Sequence, residues 1–167
     1  LEFQLRNIAN TDVLTGVSNR LALNEYIRLL ELRPERLTQT GLIIIDIDDF
    51  KIVNDRLGHI IGDQVIKFIA DTLKEHLTSS ELVVRYGGDE FLIIIDNTNF
   101  KDALILAENI RQSIGRSDCY IKELNEFVGI SVSAGVAVGA VSWMALLERA
   151  DKSLLKVKTQ GKNAVLG

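Results

Sequence analysis

The chain has 167 residues, 47% of them apolar, which is enough for one domain with a substantial core. A net charge of −4 with no basic block argues against a nucleic-acid duplex as partner, but leaves room for a single bound nucleotide. The one cysteine, Cys119, cannot form an internal disulfide, so it reads as structural or incidental, and a reducing, cytoplasmic compartment is expected. No signal-peptide pattern, low-complexity stretch or fixed-period repeat is visible, and the apolar runs are too short to span a bilayer.

In chain order, Leu1, Leu5 and Ile8 have a/d spacing, although a single heptad is slight support for a coiled coil. Thr15-Gly16-Val17-Ser18-Asn19 is a turn cluster able to cap a helix over 20–32, with Leu23, Ile27 and Leu30 on one face and Pro34 as its stop. An apolar run at 42–47 predicts a core strand that ends in acids. Asp46 and Asp48 fall on one face of it, because side chains on a strand alternate with period two. Asp49 then opens a short helix to about 56, whose first-turn N–H groups near Phe50–Val53 can receive an anion. Gly58-His59 and Gly62-Asp63 break the chain before a helix over 64–77, where Asp63 has the position of an N-cap.

The most informative stretch follows. Two runs rich in β-branched residues, 82–86 and 91–96, flank Gly87-Gly88 and predict a β-hairpin with a primed turn, which needs positive φ at its central residues. Asp89-Glu90 sits where a buried strand begins, and an unpaired buried carboxylate is costly. Taken alone, this is a solvated turn with acids for solubility. A second acidic strand end changes the balance: if the strands are neighbours, Asp46 and Asp89 converge, and such carboxylates repel unless a cation lies between them. Hard oxygen donors suit Mg²⁺, with Mn²⁺ as the alternative ion, and the pairing points to metal-assisted phosphoryl or nucleotidyl transfer. Beyond the hairpin, Asn99 caps a helix over 100–114, residues 117–126 read as a short strand and loop, and 127–138 as one long strand. Ser142 caps a last helix to about 160, with Gly161 at C′ and an ordinary basic end at Lys152, Lys156 and Lys158.

Arg85-Tyr86-Gly87-Gly88-Asp89-Glu90-Phe91 resembles the signature of the GGDEF family, the diguanylate cyclases. The resemblance covers nearly the whole chain. It includes Asp12-x-Leu14-Thr15-Gly16-x-x-Asn19-Arg20, and the run from Asp46-Ile47-Asp48-x-Phe50-Lys51 through Asn54-Asp55, Gly58-His59 and Gly62-Asp63. The closing motif is Ala150-Asp151-Lys152-Ser153-Leu154 with Lys158-x-x-Gly161-Lys162-Asn163. Four motifs in one order and spacing leave little to chance.

The resemblance implies an α/β (α+β) fold: a mixed, about five-stranded central sheet surrounded by helices, like the palm of polymerases and nucleotide cyclases, with the Gly-Gly hairpin at the active site. It implies joining of two GTP into cyclic di-GMP by a homodimer in which each subunit supplies half a site. Asp46, the carbonyl of Ile47 and Asp89 would hold the metal. Asp89 would also accept the proton, Glu90 would complete or orient the site, and Lys51 would stabilise developing charge. The backbone near Phe50, with Lys158 and Lys162, would take the triphosphate; Asn54, His59 and Asp63 would take the nucleoside, Asp63 accepting from guanine. Residues 1–10 would end an upstream signalling helix joined to a sensory domain, with 11–167 as the catalytic domain. Three positions depart from the pattern: Thr78-Ser79-Ser80-Glu81 replaces the Arg-x-x-Asp of the product-inhibition site, Lys162 replaces an arginine, and Leu155 a tyrosine. Three competing readings are a catalytically silent GTP-binding sensor, a cyclase for adenine or mixed nucleotides (opposed by Asp63), and a purely structural domain, which leaves both acidic strand ends without purpose.

Overall fold

The computed structural model describes residues 2–116 and 119–167; Leu1 of the heptad, and Ser117 and Asp118 of the expected loop, lie outside them. In order the elements are α1 (Glu2–Asn10), α2 (Arg20–Glu31), α3 (Pro34–Leu37), β1 (Gly41–Ile47), α4 (Phe50–Leu57), α5 (His59–His76), β2 (Glu81–Arg85), β3 (Glu90–Ile95), α6 (Phe100–Arg116), β4 (Cys119–Ile121), β5 (Glu126–Val128), β6 (Val132–Val138), α7 (Trp143–Thr159) and β7 (Val165–Leu166). The central sheet has five strands in the order β2-β3-β1-β6-β7. Only the β6–β7 pair is parallel, so the sheet is mixed, as expected.

β1 lies in the middle and is buried along its whole length. Its odd residues Ile43, Ile45 and Ile47 join a core with Val65, Ile69 and Leu73 of α5 and Ala103, Ala107 and Ile110 of α6. Leu42 and Ile44 face the other way, against Leu23 and Leu30 of α2 and Leu146, Ala150 and Leu154 of α7. A strand covered on both faces reads as a continuous apolar run. That is why Leu-Ile-Ile-Ile precedes the acids.

Three helix starts are capped by side chains. Asn19, Asn99 and Ser142 accept backbone N–H groups three residues on, at 3.1, 2.9 and 3.1 Å. Gly161 lies just past α7 at φ +115°, the left-handed C′ position.

Four sequence expectations need correction. Pro34 does not simply end a helix: α2 stops at Glu31, and Pro34 opens the short α3 from a first-turn position, where its missing N–H costs nothing. The second long helix starts at His59 rather than 64, after Gly58 at φ +87°, so Asp63 is inside it and is not a cap. Gly62 is helical, and is glycine because a Cβ there would lie 1.9 Å from Asn54 Oδ1. The span 127–138 is two strands: β5 pairs with β4 in a separate two-stranded sheet, and residues 129–131 connect it to β6. Finally, β2 and β3 pair antiparallel with Arg85 opposite Phe91, but neither Gly87 nor Gly88 has positive φ. The N–H groups of Tyr86 and Gly87 both bond to Glu90 O, at 2.8 and 3.2 Å, closing a wider loop than a primed turn.

Gly135 on β6 marks the tightest approach of sheet to helix: a Cβ would meet Ala150 O at 2.0 Å and Leu154 N at 2.5 Å. Backbone on both sides cannot yield cheaply. Gly135→Ala is expected to cost about 3 kcal/mol or more, read as a lowered urea midpoint.

Candidate active site

The C-terminal end of β1 carries Asp46 to a position opposite Glu90 on β3 and Ser133 on β6. The Ile47 N–H donates to Asp89 O at 3.1 Å, which pins the acidic loop against the strand end. Asp46 Oδ2 accepts from Lys158 Nζ of α7, while Asp46 Oδ1 is buried with no partner. Burial pushes the Asp46 carboxyl up to about 6; Lys158 opposes the rise and the neighbouring Asp89 adds to it. Glu90 is raised too, first by burial and then by the charge of Asp46. Burial pulls Lys158 down, but Asp46, Glu90 and Asp89 together hold its ammonium above the ordinary lysine value.

Beside this cluster the chain turns through Asp49 at φ +55°, and Asp49 O receives the N–H groups of Ile52 and Val53 at 3.0 and 3.3 Å. The Asp49 side chain does not cap α4. It pairs instead with Lys162 Nζ, which the carboxylate holds above its usual pKa. The result is a cleft of about 230 Å³ lined by Asp46, Ile47, Asp48, Asp49, Phe50, Lys51, Asp89, Lys158 and Lys162.

Seven positions singled out from sequence thus line one cleft: Asp46, Ile47, Phe50, Lys51, Asp89, Lys158 and Lys162. Glu90 stands next to it in register with Asp46. Asn54, His59 and Asp63 do not line it; they lie where α4 meets α5. His59 and Asp63 are exposed in the first turns of α5, and Asn54 is wedged against Gly62 with its Oδ1 buried and unpartnered.

Several contacts were not read from sequence. Asp48 does not face the cleft alone: Ser131 Oγ and Ser133 Oγ each donate to its carboxylate at 2.6 Å, and the Asn163 N–H donates at 3.0 Å. The signal was present in Ser131 and Ser133, because hydroxyls on an otherwise apolar strand need partners. Arg85 donates to Asp12 at 3.3 Å and to Gly88 O at 2.9 Å, joining the first motif to the glycine loop. Asp12 is in turn held by Thr15, whose N–H and hydroxyl donate at 3.0 and 2.6 Å. The Arg20 guanidinium stacks on the Tyr86 ring, 4.0 Å from its centroid.

A helix-covered mixed sheet with paired acids at its central strand ends, rimmed by two lysines, describes a candidate site for a phosphorylated ligand. The family model for the diguanylate cyclase GGDEF domain matches residues 9–164, and the chain belongs to that family. It is 37% identical over 167 residues to the response regulator PleD of Caulobacter vibrioides, matching 96% of this chain and 36% of PleD. The chain therefore spans about a third of that relative's length. The coiled coil and GGDEF domain of DgcB from Caulobacter crescentus, solved in complex with c-di-GMP, superposes with a TM-score of 0.90 at 33% identity, covering 97% of this chain and 87% of that one. Diguanylate cyclase SiaD of Pseudomonas aeruginosa, solved with its activator SiaC, gives 0.87 at 32% identity, covering 99% and 64%.

The raised Asp46 carboxyl has a signed consequence. Between about pH 4 and 6 the folded chain holds a proton on Asp46 that the unfolded chain has released, so this group's contribution to stability falls as pH rises through that window and is level above it. Urea denaturation of wild type and Asp46→Asn checks this. The stability of wild type relative to the variant is expected to be higher at about pH 4.5 than at about pH 7.

Proposed function

We propose that the chain is the catalytic domain of a diguanylate cyclase, condensing two GTP into cyclic di-GMP with release of two pyrophosphates. The observation that carries this reading is the buried, unpartnered Oδ1 of Asp46 beside Asp89, at the mouth of a cleft rimmed by Lys158 and Lys162. Among the described residues no three His, Cys, Asp or Glu side chains are grouped as a ready metal site. Two carboxylates and an adjacent backbone carbonyl are nevertheless the hard oxygen donors that Mg²⁺ or Mn²⁺ accepts while keeping waters and phosphate oxygens as its other ligands. Asp46, Ile47 O and Asp89 fit that role. When bound, such a cation lowers the pKa of an attacking hydroxyl and neutralises charge on the transferred phosphoryl group.

The residues act as follows. Lys158 and Lys162 hold the β- and γ-phosphates and offset charge on the leaving pyrophosphate, with Lys51 and the backbone at Phe50 on the same side. Asp63 offers a carboxylate to the donor edge of guanine, and Asn54 adds hydrogen bonds to the base. His59 lies beside the nucleoside, and Glu90 completes the metal site or orients its neighbours. The 3′-oxygen of each GTP bonds to the α-phosphorus of the other as the bond to pyrophosphate breaks, and Asp89 takes the hydroxyl proton. Each subunit holds one GTP, so turnover needs two copies face to face. Residues 1–10, which include α1, are read as the end of an upstream helix that brings the copies together, and residues 11–167 as the cyclase unit. The setting is read as cytoplasmic; no helix among the described residues is long and apolar enough to cross a membrane.

The test is incubation of the chain with GTP and Mg²⁺ over a range of protein concentrations, with nucleotides read by chromatography. Cyclic di-GMP is expected with steeper than linear dependence on protein, and Asp89→Ala is expected to lower its formation at least about 10³-fold while still binding GTP. GTP binding without product at any concentration would instead support a silent sensor or a domain that lacks its dimeriser. Asp63→Ser should relax the preference for guanine.

Product control is a separate expectation. Glu81 is taken up by the N–H and hydroxyl of Thr78, at 2.8 and 2.6 Å, so this stretch is closed on itself and has no arginine. Rates measured with added cyclic di-GMP should show no non-competitive inhibition at low micromolar levels.

A further inference from the structure

Lys162 and Asn163 are consecutive non-glycine residues with left-handed backbone, at φ +63° and +47°. The left-handed region is disfavoured for a side chain such as that of Lys162, so the surrounding structure must hold the turn in place. Two groups do so from opposite sides. Arg111, midway along α6, donates from one nitrogen to Asn163 Oδ1 at 2.9 Å and to Asn163 O at 3.4 Å. The rest of its guanidinium forks onto Glu108, and only 19% of the side chain is exposed. From the sheet side, Asp48 and Ser133 accept the Asn163 N–H, at 3.0 and 3.1 Å. Lys162 Nζ then meets Asp49 at the lip of the cleft.

We propose that Arg111 is a positioning residue for nucleotide binding: through Asn163 it holds the left-handed turn that keeps the Lys162 ammonium at the triphosphate end of the cleft. Arg111 does not line that cleft. It acts at a distance, as one jaw of a clamp whose other jaw is Asp48. The inference rests on the reading of Lys162 as a phosphate contact. It adds a requirement on α6 that none of the sequence motifs contains.

The experiment is a double-mutant cycle read by nucleotide affinity. GTP and GMP are titrated, with divalent cation, against wild type, Lys162→Ala, Arg111→Met and the double variant; methionine keeps the apolar stem of Arg111 and removes its donors. Lys162→Ala is expected to weaken GTP roughly tenfold and GMP hardly at all, because only GTP carries the β- and γ-phosphates. Arg111→Met should reproduce that selective loss, and the double variant should be no worse than either single. Arg111→Lys, which keeps the charge but cannot fork, should recover only part of the GTP affinity. Additive losses in the double variant, or equal loss of GTP and GMP with Arg111→Met, would overturn the proposal by showing a general structural role. Should Arg111→Met fold poorly, Glu108→Gln, which loosens the same guanidinium, must give the selective loss or the proposal falls. Wild-type GTP affinity in Lys162→Ala would refute the phosphate reading itself, whereas a selective loss there with unchanged binding in Arg111→Met would refute the positioning role alone.

Discussion

A carboxylate taken out of water at the end of the innermost strand is the constraint around which this domain is arranged. Asp46 continues the apolar run of β1, so it can reach the surface only where the sheet ends. Its charge is met by one lysine from α7, and one oxygen is left without a partner. Leaving a buried acceptor unpaired works against stability. The neighbouring elements are arranged around that carboxylate: Asp89 is tied to the strand by its own carbonyl, and the turn after β1 is bent through a left-handed Asp49 so that α4 begins at the cleft. The fold gives up stability at this strand end, and it is here that the family's chemistry is read.

How much of this could be seen in the chain depended on the kind of signal. Strands with continuous apolar runs and helices with capped, periodic faces were legible, because burial on two faces or one leaves an unmistakable pattern. Glycine was the ambiguous letter. Gly58 and Gly62 look alike in sequence, yet one turns the backbone and the other only makes room for Asn54, a distinction that depends on a residue packed from another helix. Gly87-Gly88 gave a hairpin of the wrong turn type, since the loop is closed by two bonds to one carbonyl that sequence cannot count. Phe127 and Val132 were merged into one strand because both segments favour extended backbone, and pairing with Cys119–Ile121 is a long-range choice.

For the site, the acids and lysines that line the cleft were legible as residue types at strand and helix ends, and the resemblance supplied their order. What stayed hidden was support. Asp48 looked like a second member of the acidic cluster, but its carboxylate is used up by two serines and a backbone N–H. Such second-layer bonds join residues more than eighty positions apart, where no local period carries information. Arg85 and Asp12 are another instance: both belong to motifs, yet their pairing across the molecule is a fact of the fold.

The order of the sheet has a consequence for assembly. Its two edges are β2 and β7. β7 is only two residues long, and β2 is partly shielded by the segment at Ser18, which bridges to Val84 and exchanges backbone bonds with Val83 and Arg85. Neither margin offers a long open row of amides for another copy to extend by strand addition. The central sheet thus gives another copy of the domain little to extend, even at high local concentration.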